Sequence, residues 1–163
     1  MIDRRPALAA MLLMAGLAPA AMAEQAQALP PAVTQAEYEK AMWCVGRNEG
    51  DMAMAQRVMP PSANAHNLPE YLESNKPLEE AFARMMDRAR DPAQDLDIPA
   101  GEAARARGRL VYDQHRTLAL REQYGVWQNL SWSGEGCTQA LGTALNSFDA
   151  YAAARGKAEA SRN

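Results

Sequence analysis

The sequence predicts an all-α fold: an irregular bundle of four or five helices whose first and last members are joined by one disulfide. Three observations carry that expectation. Apolar residues recur at helical spacing in several separate segments, and no segment alternates with the period of two that a half-buried strand requires. The chain's only two cysteines, Cys44 and Cys137, fall in the first and last of the helical segments.

Asp3, Arg4 and Arg5 give a short charged start, and an uncharged apolar run follows from Ala7 to Leu17, which is the order of a secretory signal. Pro19 interrupts that run well short of the roughly 20 apolar residues a membrane span needs. Ala21-Met22-Ala23 then supplies small residues at positions −3 and −1 of a cleavage site. Residues 1–23 are therefore read as a signal peptide, residues 24–33 as a flexible lead-in ending at Pro30-Pro31, 34–154 as the helical domain and 155–163 as a disordered tail. The expected location is the periplasm or the outside of the cell. No cysteine stands near the cut to take a lipid anchor, and no later segment reads as a membrane span.

The first helix is announced by Thr34 and Glu37, a capping-box pair, with Tyr38, Ala41, Met42 and Val45 behind it at i, i+3, i+4 and i+7. Its glycines predict a weakening over residues 46–50 and a restart with Asp51 as N-cap, ending at Pro60-Pro61. Residues 62–69 read as a loop, with a short helical turn over 70–73. The next helix is expected to start at Pro77 and to bury Leu78, Phe82, Met85, Met86 and Ala89 before Asp91-Pro92 ends it. Strong helix formers over residues 100–124 predict the longest helix, with Ala103, Leu110, Val111, Gln114 and Leu118 facing inward. Three glycines, two serines and two tryptophans over residues 125–136 read as an irregular loop. The last helix has the cleanest stripe, formed by Cys137, Leu141, Ala144, Leu145, Phe148, Tyr151 and Ala152, so its cysteine points into the core.

In an exported chain an even number of cysteines predicts a disulfide, and two cysteines allow one pairing. Cleavage would leave about 140 residues, enough for one core. It would also take the net charge from −3 to about −4. Acidic and basic residues alternate along the chain without a basic block, which argues against a nucleic-acid partner.

Function is less legible. His66 and His115 are the only histidines, and neither has a partner at metal-ligand spacing, so no metal or cofactor is expected. Ser133 lacks the glycine two positions before it that a nucleophile elbow needs, since Ser131 stands there. The feature above background is aromatic: Tyr124, Trp127 and Trp132 precede Cys137, and Trp43 adjoins Cys44. A disulfide would gather these rings, either as a core packed over the bridge or as a contact patch, Tyr124, Trp127 and Trp132, for a protein or envelope component. The residues favour a non-enzymatic binding module, such as an adaptor, inhibitor, immunity-type protein or chaperone. The alternative is a small exported hydrolase whose acidic and histidine groups, Glu135 and His115 among them, converge only in three dimensions.

Overall fold

The computed structural model describes residues 29–59, 68–130 and 136–161. The signal segment, His66, Trp132 and Glu135 lie outside these residues. Among the described residues the fold is all-α. Its helices are α1 (Gln35–Val58), α2 (Leu68–Ala89), α3 (Ile98–Asp113), α4 (Leu120–Asn129) and α5 (Cys137–Ala160), with a 3₁₀ turn at Pro92–Gln94 between α2 and α3. Helix α1 is the hub, packed on the other four and along most of its length on α3.

The predicted start of α1 is present in full. The Thr34 hydroxyl accepts from the Glu37 backbone N–H, and the Glu37 carboxylate accepts from the Thr34 backbone N–H at 2.8 Å. Tyr38, Ala41, Met42 and Val45 are buried, as are Phe82, Met85 and Ala89 of α2 and Cys137, Leu141, Ala144 and Phe148 of α5. These residues form one apolar core around the Cys44–Cys137 disulfide, which joins α1 to α5 as expected.

Helix α1 does not weaken at its glycines. It runs unbroken through residues 46–50, and Asp51 is a buried mid-helix residue rather than an N-cap. The reason is how closely α3 approaches. A Cβ placed on Gly46 would stand 1.8 Å from the Arg105 carbonyl oxygen, and one on Gly108 would stand 2.0 Å from the Trp43 carbonyl oxygen. Two backbones in such contact leave no room for a side chain, and the packing offsets the roughly 1 kcal/mol that each helical glycine costs.

The inward face of α3 is therefore built of Gly101, Ala104, Gly108 and Tyr112. Ala103, Leu110 and Leu118 are exposed, contrary to expectation, because a count of apolar residues passes over the glycines that make the contact. The single helix expected over 100–124 is two. Tight turns over residues 114–118 separate α3 from α4, held by Gln123, whose amide donates to the Leu118 and Arg116 carbonyls at 2.7 and 3.2 Å. No proline or glycine marks that break.

Helix α2 is longer than expected and carries Pro77 in its interior, where the ring faces solvent. Asn75 and Ser74 both donate to the Tyr71 carbonyl at 2.8 Å in the turn ahead of it. At the far end α5 continues to Ala160 through the segment expected as a tail. Arg155 holds it there, bonded to Asp91 at 2.6 Å and to Glu159 at 2.9 Å. Gly136, at φ 75°, turns the chain into α5 in a left-handed conformation that glycine adopts without strain.

Candidate functional site

Among the described residues the aromatic side chains singled out in the sequence are divided between two places. Among the described residues Trp43 packs against the apolar cluster that contains the cysteines. Its ring lies under the Lys40 ammonium at 4.3 Å and beside the Arg47 guanidinium at 5.3 Å. Trp127 sits elsewhere. The expected loop is helical over its first turns, so Tyr124 and Trp127 belong to α4. With Leu120 they stand at i, i+4 and i+7, one stripe of the helix.

Along that stripe the environment changes. Leu120 is 62% exposed and Tyr124 38% exposed, and Leu118 and Leu110 (59%) add apolar surface on the preceding turn and on α3. Trp127 is half-buried, edge-on to Tyr71 of α2 at 5.7 Å and tilted against Tyr124 at 6.0 Å. It works as an anchor that pins α4 to the bundle, with the exposed rings and leucines beside it.

Beneath Trp127 lies a buried polar cluster that sequence reading missed. Asp51 is 4% exposed and accepts a short hydrogen bond from the Tyr71 hydroxyl. Tyr112 donates to the Leu130 carbonyl at 3.1 Å and also interacts with the Asp51 carboxylate. The Trp127 indole N–H approaches that carboxylate without reaching full hydrogen-bond geometry. Arg47 lies 5.4 Å from the Tyr112 ring and adds a positive charge nearby. Burial raises the Asp51 carboxyl above its ordinary value, against the opposing pull of the Tyr71 and Tyr112 hydroxyls and the nearby Trp127 N–H. Burial, followed by the neighbouring carboxylate, also pushes both tyrosine hydroxyls far above the ordinary phenol range, so they stay protonated donors. Chemically this is a clamp between α1, α2, α3 and α4. The signal that could have found it is spacing: Arg47 and Asp51 stand at i and i+4 on one side of α1, next to Gly46 and Gly50, against which α3 packs.

A third feature is a groove of about 460 Å³ between α1 and α2, lined by Val45, Met52, Phe82 and Met86 with Asn48 and the Glu49–Arg105 ion pair. Arg105 donates through Nε to both Glu49 carboxylate oxygens at 3.0 and 3.1 Å and through Nη1 to Glu102 at 3.3 Å.

His115 lies in the turn after α3, half-buried, with its Nε2 3.3 Å from the Gln114 amide. Glu135 is outside the described residues, so the pair named for the hydrolase alternative is not brought together among them. Among the described residues no group of three or more His, Cys, Asp or Glu side chains could hold a metal ion, and no helix is long and apolar enough to cross a membrane. A disulfide fits an exported protein. No protein-family model, curated protein or solved structure matches this chain.

Proposed function

We propose that this protein is an exported, non-enzymatic binding module that engages a partner protein of the cell envelope through α4. The observation that supports this most is the stripe on α4. Leu120 and Tyr124 are exposed on the same face as Trp127, whose packing on Tyr71 holds the helix in place. Interfaces concentrate their binding energy in aromatic anchors flanked by apolar surface, and a short helix fixed at one end presents such a surface without having to order it on binding. Trp132, the third aromatic residue of the expected patch, lies outside the described residues. Export rests on the basic and apolar order of residues 1–23 and on the disulfide, a bond favoured outside the cytoplasm.

A photo-crosslinking residue at position 120, in the full chain expressed in its source cells, should yield one discrete protein adduct. The same residue at exposed Ala150 on α5 should not. Combining Leu118→Ser with Tyr124→Ser should remove the adduct without lowering the melting temperature. Adducts that are identical from both positions, or none from either, would sink the reading. The recovered protein should begin at Glu24.

A further inference from the structure

We propose that the groove between α1 and α2 binds a small neutral amphiphile, an aliphatic body carrying a hydroxyl group, at a site separate from the α4 surface. Its volume of about 460 Å³ falls within the roughly 300–1,000 Å³ of small-molecule sites. Val45, Met52, Ala53, Phe82, Ala83 and Met86 give it apolar walls. The two methionines are unbranched and polarizable, so they can close around an aliphatic chain of no fixed shape.

The head group is identified by Asn48. Its side chain is on the groove wall yet 1% exposed, and the carboxamide oxygen is buried with no hydrogen-bond partner among the described residues. The amide nitrogen reaches only the Met52 sulfur, at 3.5 Å, and a thioether is a weak acceptor. A buried acceptor left unfilled is a standing cost that a ligand donor relieves. The terminal torsion of asparagine is broad, so turning the carboxamide presents its oxygen to the groove at the loss of that weak sulfur contact. A hydroxyl, which both donates and accepts, matches either end of the amide.

Charge excludes the other common heads. A carboxylate would need the groove's cation, Arg105, which Glu49 and Glu102 already hold, and Glu79 adds a further acidic group to the lining. An ammonium would lose its hydration beside an uncharged amide, with Glu49 committed to Arg105 and only Glu79 left in the lining to offset its charge.

The test uses the intact protein with ¹³C-methyl-labelled methionines, titrated with 1-decanol and, separately, with sodium decanoate. The Met52 and Met86 methyl resonances should shift saturably with 1-decanol, with decanoate at least about tenfold weaker. Asn48→Leu should weaken 1-decanol roughly tenfold, about one hydrogen bond. Ala83→Trp, at a solvent-facing position on the groove wall, should abolish the shifts at unchanged melting temperature. The Leu118→Ser, Tyr124→Ser variant should bind 1-decanol as the parent does, which separates this site from α4. Unsaturable shifts, or shifts that survive Ala83→Trp, would overturn the site. Decanoate binding as tightly as 1-decanol would overturn the neutral head group.

Discussion

The two halves of α1 differ in what they bury: only the second adds polar and charged side chains to the apolar ones. The first half sends Tyr38, Met42, Cys44 and Val45 into an apolar core shared with α2 and α5 and closed by a disulfide. The second half buries the polar side chains of Arg47, Asn48 and Asp51 beside the apolar Met54 and Ala55. Apolar burial of the first kind is non-directional and tolerates small displacements. Polar burial of the second kind is costly unless a group meets a partner of the right geometry; Asp51 meets hydroxyls from α2 and α3, whereas the Asn48 oxygen meets none among the described residues. The glycines at 46 and 50 lie at the boundary and let α3 approach closely enough to bring Tyr112 to Asp51. One helix thus carries both a covalent staple and a polar clamp, and the difference predicts how each half fails.

The largest effect should come from the stapled half. Replacing both cysteines by alanine opens a loop of 93 residues, which should cost about 4 to 5 kcal/mol by loop-closure entropy. Denaturant unfolding of the parent and the double variant measures it, and a loss below about 1 kcal/mol would show that packing alone holds α5. Next in size is Gly108→Ala at the boundary. The new Cβ would fall 2.0 Å from a backbone oxygen, so the helices must part, at about 3 kcal/mol, the upper end of overpacking costs. Gly142 on α5 is the control, since nothing lies within 4 Å of a Cβ there. Gly142→Ala should stabilise by roughly 0.5–1 kcal/mol. If the two substitutions behave alike, the glycine contact is not what joins α1 to α3.

The smallest effect separates the halves by sign. Burial raises Asp51 in the fold, so the folded state binds its proton more tightly than the unfolded chain does. Stability from this group therefore falls as pH rises from the ordinary aspartate value of about 3.9 through the raised folded value. Glu37, held by Thr34, is lowered, so its contribution is present above the ordinary glutamate value and is lost as pH falls through the folded one. Melting temperatures between pH 3 and 7 should show Asp51→Asn gaining on the parent as pH rises and Glu37→Gln gaining as pH falls. Trends of the same sign would mean that the Tyr71, Tyr112 and Trp127 contacts outweigh burial at Asp51.

Much of the first half was legible. Thr34 and Glu37 form a local motif, and the stripes of α1, α2 and α5 are periodic, so each could be read without knowing what it packed against. The second half was not. Gly46 and Gly50 read as breakers because a glycine has no local preference for helix, and their role exists only where another backbone touches them. The same holds for Gly108, and it is why Leu110 and Leu118 were placed inward when α3 in fact turns its glycines toward α1. The aromatic residues stand out in the sequence as residue types, but their neighbourhood does not. Trp127 met Tyr71 and the Asp51 cluster rather than the bridge, because α4 forms where the glycine and tryptophan content of residues 125–136 suggested a loop.

The sequence by itself determined the all-α class, the start of α1, the pairing of Cys44 with Cys137 and the buried faces of the helices that meet at that bond. Those features depend on residues close in the chain, or on a cysteine count with a single solution. Tertiary structure alone decided that α1 and α2 run unbroken, that α3 and α4 are separate, and that Asp51 is buried beneath two tyrosines. For α1 and for Asp51 the deciding energy is a contact between helices far apart in sequence, and such a contact can outweigh local preferences of about 1 kcal/mol per residue; the α3–α4 break and the turn ahead of Pro77 are held by side chains bonding nearby carbonyls.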